Sequence, residues 1–296
     1  MKDKTILITG STAGIGKQTA ISLAEKGYQV IITGRNKESG EKVVSEIKQL
    51  TNNQKIGLIL ADISTIAGII KINAEFKSSY SNLDCLINNA GSASKSLTIT
   101  PDGFELNFAV NVIAPYLLST LLLDNLKLSP EPRIITLAGG DLPQSIDLSN
   151  LQNERYFDGL NSYSQSKVAM MCIMYELSKK LRDTKITCNI CYPGQASTSM
   201  TQNVTKEMLP KFMRPIYPIF KLAVRPDNGK SAKKASKSSI YLATSADVTG
   251  KSGLYVNKKI KIKQFPKIVM DDNSRKILWD YMIEKLSTKE YKHQNA

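Results

Sequence analysis

The sequence predicts one doubly wound α/β domain, and three observations carry that expectation. Short apolar runs rich in β-branched residues alternate with segments of helical period from the N-terminus onward. The 296 residues, 42% of them hydrophobic, are enough for one large core. No Pro- or Ser-rich linker and no internal repeat divides the chain, so residues 1–296 are expected to form a single domain.

The elements follow in order. Strands are predicted at 5–9, 29–33 and 56–60, and helices at 17–26, 37–50 and 66–79. The series continues with strands at 85–88, 133–137 and 186–191, and a seventh near 253–256. Such alternation gives a mostly parallel, seven-stranded sheet with crossover helices on both faces. Two segments stand outside it. Residues 201–234 hold Met208, Leu209, Phe212, Met213, Ile216, Tyr217, Ile219 and Phe220, interrupted by Pro210, Pro215 and Pro218, which predicts a mobile apolar lid of short helices. The tail, 271–296, has helical periodicity over 271–286 and carries the only tryptophan, Trp279.

Forty Lys and Arg against 26 Asp and Glu give a net charge of +14, which favours anionic partners. The lysines are mostly scattered, with no aromatic-interleaved basic motif and no zinc-finger spacing, so nucleic acid is not the expected partner. Four cysteines do not make a disulfide framework. Cys188 and Cys191 have redox-pair spacing, but on a strand such positions face opposite ways, and the only histidine is His293 in the tail; no metal site is expected. The chain runs from Met1 straight into its first strand, and the apolar stretch 114–126, broken by Pro115 and Asp124, falls short of the ~20 residues of a membrane span. A cytoplasmic location without a transmembrane segment is therefore expected.

Between the first strand and first helix lies Gly10-Ser11-Thr12-Ala13-Gly14-Ile15-Gly16. Glycines there let the backbone turn tightly against a pyrophosphate, whose charge is stabilised by backbone amides and the helix N-terminus, as in a Rossmann-type dinucleotide site. At the end of the second strand, where an acidic residue would accept the ribose hydroxyls of NAD(H), stand Gly34, Arg35 and Asn36. A guanidinium pairs with a 2′-phosphate, so NADP(H) is favoured over NAD(H); stacking of Arg35 on adenine would suit either cofactor.

The spacing Gly-x-x-x-Gly-x-Gly over Thr9 to Gly16 resembles that of the short-chain dehydrogenase/reductase family. Asp62-Ile63 after the third strand, Asn88-Asn89-Ala90-Gly91 closing the fourth, and Pro193-Gly194 with Thr198 after the sixth resemble its adenine, sheet-edge and nicotinamide loops. The resemblance therefore implies cofactor contacts from Gly10, Ser11, Gly14, Ile15, Gly16, Arg35, Asn36, Asp62, Ile63, Asn89, Ala90, Gly91, Pro193, Gly194 and Thr198. Tyr163 and Lys167, four apart on a predicted helix, match the family's catalytic pair. A phenol of pKa ~10 needs a nearby positive charge to exchange its proton at neutral pH. The resemblance implies that Tyr163 protonates the carbonyl oxygen, that Lys167 also binds the nicotinamide ribose, and that Asn111 holds a water for the proton relay.

One family residue is missing. Ala138 and Gly139 stand where two serines are usual, so the catalytic hydroxyl is absent; Gly139 and Gly140 can offer amides or room for a water, and Asp141 or Ser145 are candidates to reach the site. Losing one oxyanion donor costs about 100- to 1000-fold in rate. Asp102-Gly103-Phe104-Glu105, the segment 147–151 and Leu278-Trp279 resemble the retinol dehydrogenase and protochlorophyllide reductase branch. That branch implies a small apolar carbonyl or alcohol substrate; with no membrane anchor expected, unlike many animal retinol dehydrogenases, a soluble carbonyl reductase is the leading reading, and the wider family implies homodimer pairing through the helices of Asn111 and Tyr163. The competing reading is an NADP(H)-binding regulatory or interaction protein with impaired catalysis.

Overall fold

The computed structural model describes residues 4–139, 146–209 and 211–287. The eight strands are β1 (Thr5–Ile8), β2 (Gln29–Gly34), β3 (Ile56–Leu60), β4 (Cys85–Asn88), β5 (Arg133–Leu137), β6 (Thr187–Cys191), β7 (Tyr255–Val256) and β8 (Ile262–Lys263). They form one sheet in the order β3-β2-β1-β4-β5-β6-β7-β8. All neighbours are parallel except β7 and β8, where Val256 pairs with Ile262 in antiparallel sense. The count exceeds the seven expected from the sequence. The added strand is two residues in a lysine-rich stretch with no apolar run to mark it, and pairing with β7 alone makes it a strand.

Leu7 of β1 pairs with Ile31 on one side and Leu86 on the other. Strand order reverses here, which opens a crevice at the carboxyl ends of β1 and β4, where ligands bind in open α/β sheets. Helices α1 (Gly14–Ala24) and α2 (Lys37–Thr51) cover one face and α3 (Ile66–Ser79) the other. The period-two alternation of side chains sorts the core into two halves. Leu7, Ile31, Leu86, Ile134 and Ile190 pack with α3 and with the helices Ala114–Leu121 and Gly159–Lys180. Ile6, Ile8, Val30, Ile32 and Ile87 pack with α1, α2 and Leu242. Cys188 and Cys191 fall on opposite faces, as alternation requires, and both are buried free thiols.

After β6 the chain makes short helical turns, Ser199–Gln202, Lys206–Met208, Lys211–Ile216 and Tyr217–Ala223, before the helices Lys230–Ala235 and Lys237–Thr244. Pro218 sits at the start of Tyr217–Ala223, where its missing N–H costs nothing. Pro210 lies outside the described residues. The helix Asp272–Ser287 lies along Gly159–Lys180. Its buried Arg275 donates to Glu176 Oε2 at 3.2 Å and to the Val269 carbonyl at 2.6 Å, and pairs with Asp272. Trp279 meets Tyr116 edge-on at 5.3 Å and carries the Lys180 ammonium over its ring. These contacts clamp the helix that bears Tyr163. His293 lies outside the described residues.

Candidate active site

The glycine-rich loop is built against the end of β4. Gly10 has φ +61°, and a Cβ there would sit 2.8 Å from the Ala90 Cα; one at Gly16 would sit 2.4 Å from Asn89 Nδ2. Only glycine fits at either place. Asn89 Nδ2 donates to the Thr9 and Gly10 carbonyls at 2.8 and 2.9 Å, and Thr9 Oγ1 accepts from the amides of Asn89 and Ala90. Ser11 is buried: its hydroxyl donates to the Ile8 carbonyl and accepts from Thr33 N, so its side chain braces β1 against β2. No side chain caps α1, whose N-cap residue is Ala13. The amides of its first turn, Ile15 and Gly16 among them, lack intrahelical partners and bring the positive end of the helix dipole to the loop.

Around this loop stand the other expected cofactor contacts. Arg35 is exposed just past β2, and among the described residues no ion pair occupies its guanidinium. Asn36 Oδ1 caps α2 by accepting from Ser39 N at 2.8 Å. Asp62 is exposed, with Oδ1 accepting from the amide and hydroxyl of Ser64, while Ile63 packs on the core. Thr198 lies over Gly14, its Cγ2 3.0 Å from where a Cβ of Gly14 would be. The loop after β6 thus reaches back to the loop after β1, with Pro193 buried and Gly194 at φ +87°.

Tyr163 and Lys167 share one face near the start of Gly159–Lys180. Lys167 is buried and donates from Nζ to the Leu137 carbonyl, at the end of β5, at 3.1 Å. Asn111 lies in a π-helical turn, Ala109–Ile113, a widened geometry common at functional sites. Its Oδ1 accepts from Ser92 N at 3.0 Å, and its Nδ2 donates to the Ser92 carbonyl at 2.9 Å and to Ser166 Oγ at 2.8 Å. Lys167 and Asn111 meet over Gly91: the position of a Cβ there is 3.5 Å from Lys167 Nζ, 3.4 Å from Asn111 Oδ1 and 3.2 Å from Met200 Cε.

Burial governs the protonation of the pair. It pushes the Tyr163 phenol up to about 12, with the Tyr192 phenol adding to the shift. It pulls the Lys167 ammonium down to about 8. The sequence suggests that Lys167 eases proton loss from Tyr163; without a ligand, desolvation is the larger influence on both groups.

Three features escaped the sequence reading. Ser166 donates to the Tyr163 carbonyl at 2.7 Å while accepting from Asn111, so it joins the two expected catalytic residues. Glu105 is fully buried, its carboxylate accepting from Asn107 N and Phe108 N at 2.9 Å and capping the turn that leads to Asn111; burial raises its pKa. Tyr192 follows β6 close enough to Tyr163 to influence it. Polar residues beside a recognised motif were the one available signal for Ser166. The others depend on long-range packing. At the end of β5, Ala138 and Gly139 are buried, and Ala138 N donates to the Cys191 carbonyl. Gly140, Asp141 and Ser145 lie outside the described residues. Among those described, no cluster of three metal-ligating side chains occurs, and no helix is long and apolar enough to cross a membrane.

Comparison with known proteins agrees with this architecture. A family model described as short chain dehydrogenase matches residues 4–209. Human retinol dehydrogenase 13 is 34% identical over 254 residues, covering 85% of this chain and 75% of its own. Human polyprenol dehydrogenase is 30% identical over 291 residues, covering 95% and 84% respectively. Among solved structures, an uncharacterised protein from Mycobacterium paratuberculosis superposes with a TM-score of 0.75 at 21% identity, covering 96% of this chain and 93% of its own. A short chain dehydrogenase from Shigella flexneri, complexed with NADP, gives 0.65 at 22% identity, covering 88% and 98%. The order of loops along the sheet, the Tyr163–Lys167 helix and these matches together make the chain a member of the short-chain dehydrogenase/reductase family of oxidoreductases, in its retinol dehydrogenase-like branch.

Proposed function

We propose that the protein is an NADP(H)-dependent oxidoreductase that interconverts an apolar aldehyde or ketone and its alcohol. The observation that carries this reading is the meeting of Lys167 Nζ and Asn111 Oδ1 over Gly91, one helical turn from Tyr163 and beside the uncapped start of α1. The residues present fit a pyridine dinucleotide. The first-turn amides of α1 suit a pyrophosphate, and the unpaired guanidinium of Arg35 suits a 2′-phosphate. The NADP in the Shigella flexneri structure supports the same choice. The four buried free thiols accord with a reducing, cytoplasmic setting.

A bound nicotinamide supplies or accepts the hydride. In the reductive direction Tyr163 donates its phenol proton to the substrate oxygen. Lys167, charged below about pH 8, stabilises the phenolate that remains. Asn111 and Ser166 hold the Tyr163 helix against the loop after β4, so the proton donor and the cofactor loops keep one geometry. The apolar short helices after β6, with Met200 beside Gly91, exclude water from the reacting carbon.

The test is NADPH oxidation against a panel of apolar aldehydes and ketones, with Tyr163→Phe as the control. Turnover that falls about 100- to 10,000-fold in the variant, with NADPH still bound, is the expected result. Absence of turnover with tight NADPH binding would sink the enzymatic reading and leave the chain a cofactor-dependent interaction protein.

A further inference from the structure

Two asparagines one helical turn apart hold alternate residues of the loop that leaves Gly91. Asn111 Oδ1 accepts from Ser92 N at 3.0 Å, and Asn107 Oδ1 accepts from Ser94 N at 2.9 Å. The four-residue repeat of the turn thus meets a two-residue repeat along the loop. The first bond leads through Asn111 to Ser166. The second leads into a buried polar group that the proposed mechanism does not use.

Glu105 is the centre of that group. Its carboxylate accepts from Asn107 N at 2.9 Å and stands 3.5 Å from the Ser94 hydroxyl. Its own backbone amide donates to Gln152 Oε1 at 2.8 Å. Asn153, the next residue, lies against the same carboxylate and helps to offset its burial. Asn153 Oδ1 in turn accepts from the Ser162 hydroxyl at 2.8 Å, and Ser162 immediately precedes Tyr163. Asn153 makes this contact from the left-handed region, at φ +56°, which asparagine tolerates better than most residues. Ser162 and Ser166, four apart, lie on either side of Tyr163 in the helix Gly159–Lys180. The turn that carries the proton donor is therefore gripped at both ends, from Ser92 through Asn111 and from Ser94 through the Glu105 group.

We infer that Glu105, Asn107, Asn153 and Ser162 are positioning residues, a second buried tether that fixes the Tyr163 turn against the loop after β4. The inference rests on the hydride-transfer reading for its consequence in catalysis. Stability alone does not account for the tether. Asn107 Nδ2 is buried without a partner among the described residues, and the Glu105 carboxylate is fully buried. Both are costly to keep out of water. Apolar side chains of like size would fill the same volume without that cost, but they could not hold Ser94 and Ser162 in one register.

The test breaks the tether at each end and reads the other. Hydrogen–deuterium exchange is followed in the full chain with NADPH, and kcat is measured with the carbonyl of the panel that the parent reduces fastest. Ser162→Ala should speed exchange over residues 92–98 by about fivefold or more, and Asn107→Leu should do the same over residues 159–166, with β1 and β2 as protected as in the parent. Each variant should lose about tenfold in kcat, with little change in NADPH affinity or in KM for the carbonyl. The double variant should lose no more than about twofold beyond the weaker single, because one tether is broken twice. Exchange that rises only at the mutated end, or that rises equally in β1 and β2, would overturn the inference. So would parental kcat, or losses that multiply in the double variant. A parent that reduces no carbonyl would sink the hydride-transfer reading instead, and exchange alone would then decide the tether.

Discussion

Asn111 and Ser166, 55 residues apart in sequence, are joined by a 2.8 Å hydrogen bond that ties the π-helical turn to the Tyr163 helix. Ser166 passes the link on to the Tyr163 carbonyl at 2.7 Å. The bond is buried, so removing its acceptor leaves an Asn111 donor unpaired. Ser166→Ala is expected to cost about 1–3 kcal/mol of stability, measured by urea unfolding. Activity should fall through kcat more than through KM, because the displaced groups are those that position Tyr163, the proposed proton donor. A variant as stable as the parent, with unaltered kcat, would remove Ser166 from this role.

Lys167 gives a pH signature. Burial brings its folded pKa down to about 8, while the unfolded chain keeps the proton to ~10.4. Between these values the unfolded state binds more protons, so stability rises with pH across that window, relative to a Lys167→Met variant. Below about pH 8 both states hold the proton, and the buried charge is a constant penalty. Catalysis runs the other way: kcat/KM for carbonyl reduction should decline as pH rises through about 8 and the ammonium is lost. Lys167→Arg, whose guanidinium stays charged, should move that decline to higher pH even if the rate is lower. A decline at the same pH in both proteins would assign it to another group.

Arg35 sets cofactor choice in the proposed reading. Arg35→Ser removes a charge-assisted contact worth about 1.5–3 kcal/mol, so the NADPH dissociation constant should rise about 10- to 100-fold. NADH, which carries no 2′-phosphate, should change about twofold or less. Fluorescence titration with both cofactors decides it. Equal weakening of the two would mean that Arg35 serves the adenine rather than the phosphate.

Gly16 is a packing requirement. A Cβ there would lie 2.4 Å from Asn89 Nδ2 and 2.6 Å from the Gly10 carbonyl, and the latter is backbone that cannot swing away. Gly16→Ala should destabilise by about 1–3 kcal/mol and abolish measurable NADPH binding. A variant with parental melting temperature and affinity would show that the loop adapts.

Seven of the eight strands were legible in the sequence because each buried strand is an apolar run between turn residues. The loop glycines and the Tyr163–Lys167 spacing were equally plain, since each follows from local geometry: a tight turn, or one helical turn. What the sequence left unread is non-local. β8 exists by virtue of its pairing with β7, and no apolar pattern announces it. Ser11 was expected among the cofactor contacts, but its hydroxyl is engaged by the amide of Thr33, 22 residues away. Asn36 similarly spends its side chain on the cap of α2.

The sequence by itself determined the layer architecture, the order of the cofactor loops, the identity of Tyr163 and Lys167, and the absence of a hydroxyl at Ala138 and Gly139, because these depend on residue type and short-range periodicity. Tertiary structure alone decided how those residues are poised. It brought Lys167 and Asn111 together over Gly91 and inserted Ser166 between Asn111 and Tyr163. The physical reason is desolvation and long-range packing. A phenol's acidity, an ammonium's charge and an amide's hydrogen bonds are set by what the fold removes from water, and that is not written in any local stretch of sequence.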